Sequence, residues 1–275
     1  MDETPESRRG APEAMRRALV DAALIAYEDA GLSGLCAEGR WEAAVDAMRR
    51  LDLAAVAPPA TELDATVARV VAAVARASAP PPSGGSVAAA VGALAAALTQ
   101  MVAGLTAGRP RYATVAAEMR AIAHRGAALT AELLTLVRRD AAAVDAVAAA
   151  YRLPKATEQE RSLRANTIEH TMRSATDAPL DIARASASVA DLAATVAERG
   201  NTNAVADAAV AALLAEAVCR AAALTVRVNV PALRDAAAAR DIEREVSAFA
   251  GAAAQAAGRA AAVVERVAGP SGGGT

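Results

Sequence analysis

The chain has 275 residues and a formal net charge of −2, and 55% of its residues are hydrophobic although only 2% are aromatic. This balanced charge offers no basic surface of the kind that nucleic acid or an anionic membrane attracts, so neither is expected as a partner. Its two cysteines and two histidines share no metal-ligand spacing, and the N-terminus has no apolar signal segment. These features predict a cytoplasmic protein without a metal site.

The N-terminal residues predict a helical hairpin. Apolar residues at three- and four-residue spacing indicate one helix over Ala14–Ala30, ending at Gly31, and a second over Gly39–Leu51. Ala57–Pro59 cannot continue a helix and predicts a linker, so residues 1–59 form a separate extension. We expect the hairpin to pack on the rest of the chain or on another protein, and to be dispensable for any chemistry.

The residues after the linker predict long helices, because apolar residues recur at helical spacing and no stretch alternates convincingly with a period of two. Long helices joined by short connections favour an antiparallel bundle, so the predicted fold is all-α. The bundle is expected at residues 60–267, followed by a disordered Gly-rich tail at 268–275. The predicted helices are Glu62–Ser78, Ser86–Leu105, Tyr112–Ala150, Thr157–Glu198 with a kink near Pro179, Asn203–Val228 and Ala232–Val267.

One segment is long enough to cross a bilayer, since no charged residue occurs between Arg76 and Arg109. Its first part holds prolines and glycines, and the remainder is mostly alanine, which gains little on entering lipid. We therefore expect a buried helix in a protein that does not bind a membrane. A helix that is apolar on all faces lies at the centre of a bundle or in a subunit interface, which predicts a homodimer.

Polar residues are concentrated near the helix ends. Lys155 is the only lysine among 29 basic residues and follows a helix end, so it is either a site residue or a solvated loop charge. Ser83 to Gly85 open an uncharged helix, where small residues either bind an anion through backbone N–H groups or simply cap the helix. Arg227 and Asn229 lie at the apolar end of another helix and predict a polar partner.

Taken in order, five segments resemble the cyclodeaminase half of formimidoyltransferase-cyclodeaminase and its stand-alone bacterial relatives, the methenyltetrahydrofolate cyclohydrolases. The resemblance covers residues 62 to 235 approximately. No single motif is specific, but five in the same order and at the same spacing indicate homology. The segments are Pro82–Ser86, Leu105–Tyr112, Asp140–Lys155, Gly200–Asp207 and Thr225–Asn229.

The resemblance implies an all-helical homodimer that acts on a reduced folate and uses no other cofactor. Members of this family convert 5-formimidoyltetrahydrofolate to the 5,10-methenyl form with loss of ammonia, or open the methenyl bridge with water. Both reactions move a proton to or from nitrogen, which suits a carboxylate. By the match to the family, Asp140 and Lys155 are the expected catalytic residues. The expected substrate-binding residues are Ser83, Gly84, Gly85, Ser86, Arg109, Arg111, Tyr112, Arg152, Asn203, Asp207, Arg227 and Asn229.

Four positions depart from the family pattern, namely Ser83, Ala206, Ala209 and Thr225. They leave open a retuned or weakened enzyme, or a non-catalytic helical binding or assembly protein derived from the family. The sequence does not decide between cyclohydrolase and cyclodeaminase, although the lack of a transferase domain in the same chain favours hydrolysis. For a folate site, the arginines and the lysine are expected to converge with the catalytic carboxylate in the folded dimer.

Overall fold

A computed structural model describes residues 7–51, 62–76 and 82–269. Within these ranges every regular element is helical, which confirms the all-α fold. Contacts divide the chain into two units, residues 1–76 and 77–275, and the predicted domain boundary near residue 60 stays a prediction. The predicted linker and almost all of the predicted tail lie outside the described residues.

The first unit contains the N-terminal hairpin, in which α1 (Ser7–Leu32) is followed by α2 (Ala37–Arg50). The predicted end of α1 at Gly31 was wrong, because the helix continues to Leu32. The helix passes through that glycine, and Gly34, with a φ of 85°, adopts the left-handed conformation in the turn that follows. A third helix, α3 (Glu62–Ala75), completes the described part of this unit.

The second unit is a helical bundle. Its helix α6 lies at the centre and contacts each of the other four long helices. Helices that follow one another along the chain run antiparallel, as predicted from their short connections. The five long helices of the described bundle are α4 (Gly84–Ala107), α5 (Ala116–Tyr151), α6 (Glu158–Arg199), α7 (Val205–Asn229) and α8 (Ala236–Ala268).

Small residues bring the bundle helices close together. A Cβ atom on Gly92 of α4 would lie 3.0 Å from Ser186 Oγ of α6 and 3.2 Å from Leu133 Cδ2 of α5. A Cβ atom on Gly126 of α5 would lie 3.1 Å from Gln100 Cβ of α4. Glycine at these positions therefore permits the close approach of α4 to both α5 and α6.

The helix predicted over Tyr112–Ala150 begins later than expected. Residues Pro110–Val115 form a 3-10 turn, in which Tyr112 has non-helical backbone angles (φ −107°, ψ 21°), and α5 starts at Ala116. The side chain of Tyr112 explains the difference, because its hydroxyl reaches Thr202 at the start of another helix. A tertiary contact has overridden the local helical pattern.

Two helical stretches of the described chain, Gly84–Ala107 and Thr202–Ala232, are long and apolar enough to cross a membrane by length and composition alone. About half of each lies buried within the bundle (50%). The rest of each is partly or fully exposed, so both helices present some apolar surface on the outside of a single chain.

Candidate active site at the start of the fourth helix

Asp140 is the only charged side chain buried in the described part of the chain, with 4% of its surface exposed. It lies on α5 against the first turn of α4. A Cβ atom on Gly85 of that turn would lie 2.7 Å from Asp140 Cγ and 2.8 Å from its Oδ2. Only glycine at position 85 leaves room for the carboxyl group, which accounts for this part of the predicted motif.

Two serines hold this carboxyl group. Ser83 Oγ and Ser86 Oγ both donate to Oδ2 of Asp140, the latter at 2.8 Å. Ser83 also caps α4, because its Oγ accepts the N–H of Ser86 at 3.1 Å. In the described chain no cation pairs with Asp140, since the adjacent Arg139 instead binds Asp181 at 2.5 Å. Neutral donors and the positive end of the α4 dipole therefore stabilise the carboxylate.

A cleft of about 210 Å³ opens beside Asp140. Its polar end consists of the first turn of α4 and the carboxyl group, and its walls are largely apolar, as in most small-molecule sites. The volume is below the ~300 Å³ at which ligand pockets usually begin. The lining residues are Ser83, Gly84, Gly85, Asp140, Ala143, Val144, Val147, Met172, Ala175, Thr225 and Asn229.

The side of the cleft formed by α6 and α7 depends on Pro179, which lies inside α6. Proline has no N–H, so the carbonyl of Ala175, four residues earlier, lacks its helical donor. Asn229, the last residue of α7, donates its Nδ2 to that carbonyl at 2.8 Å. Pro179 thus leaves the carbonyl of Ala175 without a helical donor, and Asn229, which lines the cleft, donates the hydrogen bond instead.

A second group of predicted residues surrounds the opposite end of α4. The hydroxyl of Tyr112 accepts the N–H of Thr202 at 3.1 Å and lies 3.4 Å from its Oγ1. These hydrogen bonds with Thr202, together with the positive charges of Arg111 and Arg109, lower the pKa of Tyr112 below its usual value. Thr106 Oγ1 of α4 also accepts the N–H of Asn201 at 3.0 Å, so the turn after α4 is tied to the start of α7.

The predicted site residues therefore form two groups in one chain. Because α4 has 24 residues and rises 1.5 Å per residue, its two ends lie ~36 Å apart. We call the first group, at the start of α4, the Asp140 cluster; it contains Ser83, Gly84, Gly85, Ser86, Asp140 and Asn229. We call the second, at the end of α4, the Tyr112 cluster; it contains Arg109, Arg111, Tyr112, Asn203 and Asp207.

Three predicted cations do not line the cleft. Lys155 and Arg152 are exposed in the connection between α5 and α6, beyond Tyr151. Asp140 and Tyr151 are 11 residues apart on α5, which places that connection ~16 Å beyond the carboxylate. Arg227 is exposed on the last turn of α7. The roles assigned to these three residues stay predictions.

The apolar wall of the cleft was missed in the sequence. Ala143, Val144 and Val147 follow Asp140 at spacings of three, four and seven residues, which places them on the same face of α5. That spacing could have identified these three residues as neighbours of Asp140 on one helix face. Met172, by contrast, belongs to α6 and reaches the cleft only through packing of the bundle. Among the described residues, no group of three or more His, Cys, Asp or Glu side chains has the arrangement of a metal site.

Comparison with known proteins places this arrangement in context. A family model described as formiminotransferase-cyclodeaminase matches residues 66–248. A methenyltetrahydrofolate cyclohydrolase from Methylorubrum extorquens is 43% identical over 169 residues, which are 62% of this chain and 81% of that protein. Formimidoyltransferase-cyclodeaminase from Mus musculus is 36% identical over 154 residues, 56% of this chain but only 28% of the mouse protein. The crystal structure of formiminotetrahydrofolate cyclodeaminase from Thermotoga maritima matches with a TM-score of 0.65 and 25% identity, covering 76% of this chain and 98% of that chain.

Proposed function

The chain belongs to the formiminotransferase-cyclodeaminase family, and from this premise we propose that it is a folate enzyme acting at the N5/N10 bridge of tetrahydrofolate. It acts as a methenyltetrahydrofolate cyclohydrolase or as a formimidoyltetrahydrofolate cyclodeaminase. The 43% identity with a cyclohydrolase across 81% of that protein favours the first activity. Two free thiols, Cys36 and Cys219, are consistent with a reducing cytoplasm.

One observation carries the proposal. Asp140 is buried without a cationic partner in the described chain, yet it faces a cleft with apolar walls. An aspartate is rarely buried without a cationic partner, so the position of Asp140 beside a cleft favours a chemical role. A carboxyl group at this position could exchange a proton with a bound ligand.

For the cyclohydrolase, water adds to the carbon between N5 and N10. Asp140 accepts a proton from that water as the C–O bond forms, giving a tetrahedral carbinol. The bond from this carbon to N5 then breaks, and the carboxyl group returns a proton to N5. The carbinol loses its own O–H proton to solvent, which leaves a formyl group on N10. The reaction therefore consumes one water and releases one proton.

For the cyclodeaminase, N10 attacks the formimidoyl carbon of the protonated substrate. Asp140 accepts the proton from N10 and delivers it to the departing amino group, which leaves as ammonia. The product is the 5,10-methenyl cation. Both reactions pass through a tetrahedral carbon between the two nitrogens, so one carboxylate in one position serves either.

The direct test is the absorbance of 5,10-methenyltetrahydrofolate in the presence of the purified full chain. We expect hydrolysis above the buffer rate and its loss in Asp140→Asn, with 5-formimidoyltetrahydrofolate assayed in parallel to separate the two reactions. Asp241→Asn is the matched control, because Asp241 is an exposed aspartate of α8 that pairs with Arg244. Wild-type protein without a rate on either substrate would sink the proposal.

We also propose that the active unit is a homodimer formed through α4 and α7. Each helix exposes a row of apolar side chains at the three- and four-residue spacing of a packing seam. The two helices contact each other in the bundle, so their exposed faces form a single candidate interface. The most exposed residues of this face are Leu94 (64%), Leu224 (61%) and Val228 (77%), with Met101, Leu105, Val210 and Leu213 also exposed.

A two-fold axis across this face explains why each chain holds two separated clusters. If α4 of one copy packs antiparallel on α4 of the other, the start of one helix lies beside the end of its partner. The Asp140 cluster then faces the Tyr112 cluster of the second copy, whose Arg109 and Arg111 suit the carboxylates of a folate tail. The small cleft of one chain becomes one wall of a larger site.

Mixed dimers test this arrangement. Asp140→Asn removes the carboxylate, and the double variant Arg109→Ala/Arg111→Ala removes the cations of the other cluster; each variant alone should be nearly inactive. After mixing and exchange of subunits, about a quarter of all sites contain both clusters intact, so activity should return to that level. No recovery despite demonstrated subunit exchange, or full activity in a monomer, contradicts the shared site.

A further inference from the structure

We propose that Ser83 is a positioning residue that fixes Oδ2 of Asp140 and leaves Oδ1 to exchange the proton with the substrate. This inference rests on the proposed function and deepens it. It also assigns Ser83 a role different from the substrate contact predicted from the sequence, and one particular to this chain, because the family pattern has glycine at this position. The hydrogen bonds around the first turn of α4 carry the assignment.

The hydroxyl of Ser83 is fully engaged within the protein. A serine hydroxyl has one proton to donate, and here that proton goes to Asp140 Oδ2. Its oxygen accepts the N–H of Ser86 at 3.1 Å, which is the cap of α4. Although Ser83 lines the cleft, its only proton is committed to the carboxylate.

The two carboxylate oxygens have different surroundings. Oδ2 accepts from Ser83 and also from Ser86, whose Oγ lies 2.8 Å away on a residue that is 2% exposed. Oδ1 accepts no hydrogen bond from any described residue and lies against Gly85, where even a methyl group would collide with it. The carboxylate is therefore anchored through Oδ2, and Oδ1, beside the cleft-lining Gly85, has no donor among the described residues.

Two donors are needed to fix the carboxyl group, because the terminal torsion angle of an aspartate has a broad, roughly two-fold distribution. With Ser86 alone, the carboxyl group pivots about one hydrogen bond, and Oδ1 samples positions from which the proton transfer fails. A misplacement of ~1 Å typically reduces the rate by up to 100-fold. The affinity for substrate depends on the walls of the cleft and is expected to change little.

The alternative role for Ser83 is simply that of a helix cap, and the choice of variants separates the two roles. Glycine is almost as good a cap as serine but has no hydroxyl, whereas threonine retains the hydroxyl. Thr157 is a matched control, because it caps α6 by accepting the N–H of Glu160 and lies away from the cleft.

The experiment measures kcat, KM and the midpoint of thermal unfolding for wild type, Ser83→Ala, Ser83→Gly, Ser83→Thr and Thr157→Ala. We expect kcat to fall about 10- to 100-fold in both the alanine and the glycine variants, with KM within about two-fold of wild type. Threonine should restore most of kcat. Thr157→Ala should lower the unfolding midpoint and leave kcat unchanged.

Two outcomes overturn the assignment while leaving the proposed function intact. Unchanged kcat in Ser83→Gly shows that the hydroxyl does not position the carboxylate, and a raised KM at unchanged kcat shows that it binds substrate. A crystal structure of Ser83→Gly provides a readout independent of activity, and an Asp140 side chain in the same orientation there also overturns the inference. By contrast, an inactive wild-type protein refutes the proposed function itself.

Discussion

Replacing Asn229 by leucine should destabilise the bundle because of a proline on a different helix. Asn229 Nδ2 is the donor, 2.8 Å away, for the carbonyl of Ala175, which has no helical donor because Pro179 lacks an N–H. Leucine has a similar shape but cannot donate. A buried polar group left without a partner costs about 1–3 kcal/mol. Since Ala175 is only half-buried and water reaches part of it, we expect a loss of about 1–2 kcal/mol.

The cost should largely disappear when Pro179 is also replaced by alanine. The new N–H at position 179 then donates to the Ala175 carbonyl as in any α-helix, so the carbonyl no longer needs Asn229. The effect of Pro179→Ala alone combines a gain in helix propensity with losses of packing and of chain stiffness, so the coupling between the two positions is the informative quantity. We expect a coupling free energy of about 1 kcal/mol.

Urea unfolding of the wild type, both single variants and the double variant measures this coupling. Asn166→Leu is the control, because this exposed asparagine of α6 bonds Arg234 and should show the same small effect with and without Pro179. If Asn229→Leu costs the same free energy in both backgrounds, the asparagine does not replace the missing helical donor and the reasoning is wrong.

Three further predictions follow from individual contacts. Gly85→Ala should reduce kcat by about 100-fold or more, because its Cβ displaces the carboxyl group of Asp140, whereas Gly251→Ala in α8 should be nearly silent, since a Cβ there meets no atom within 4 Å and Gly251 does not line the cleft. Burial, reinforced by a nearby glutamate, raises the pKa of the Cys219 thiol to about 12, so at pH 8 only Cys36 should react with a thiol reagent before unfolding. Because the folded state keeps that thiol protonated, stability should fall as pH rises from 9.0 towards about 12, and Cys219→Ala should remove this slope. Two backbone N–H groups lower the pKa of Asp235, the cap of α8, so its stabilisation is fully present above pH 3.8 and is lost as pH falls through the lowered pKa. Asp235→Ala should therefore lower Tm at pH 7, and this loss should shrink as the pH falls below 3.8.

The helices were predictable because their apolar spacing, caps and breaks agree. Ser83 and Thr157, both capping residues, mark the starts of α4 and α6 within one or two residues of the predicted starts. The end of α1 was less accurate, since Gly31 and Gly34 look equivalent in the sequence. Only the turn to α2 determines which glycine adopts a positive φ, and that depends on tertiary packing.

The arrangement of the predicted site residues follows in part from the helix topology and in part from packing that the sequence does not reveal. The start of α4, the middle of α5 and the end of α7 meet because successive helices run antiparallel, and the sequence gives that topology. The same topology sends Arg109 and Tyr112 to the opposite end of α4. Its 24 residues fix a separation of ~36 Å, so the division into two clusters was already implied by helix length. What helix length does not reveal is Met172, which enters the cleft through side-chain packing between helices.

The apolar faces of α4 and α7 are better suited to a second protein chain than to lipid. Both helices are long enough to cross a bilayer, but α7 carries Glu216 and Arg220 midway along its length, with the arginine 72% exposed. Charges at that depth are costly in a membrane, and here Arg220 pairs with Glu216 at 3.3 Å. The proposed dimer would also account for the lack of charge along α4, since one side packs on α5 and α6 and the other would face the partner. A lipid environment would leave each polar cluster with only the groups of its own chain. The proposed two-fold arrangement would instead bring the carboxylate of one copy near the arginines of the other.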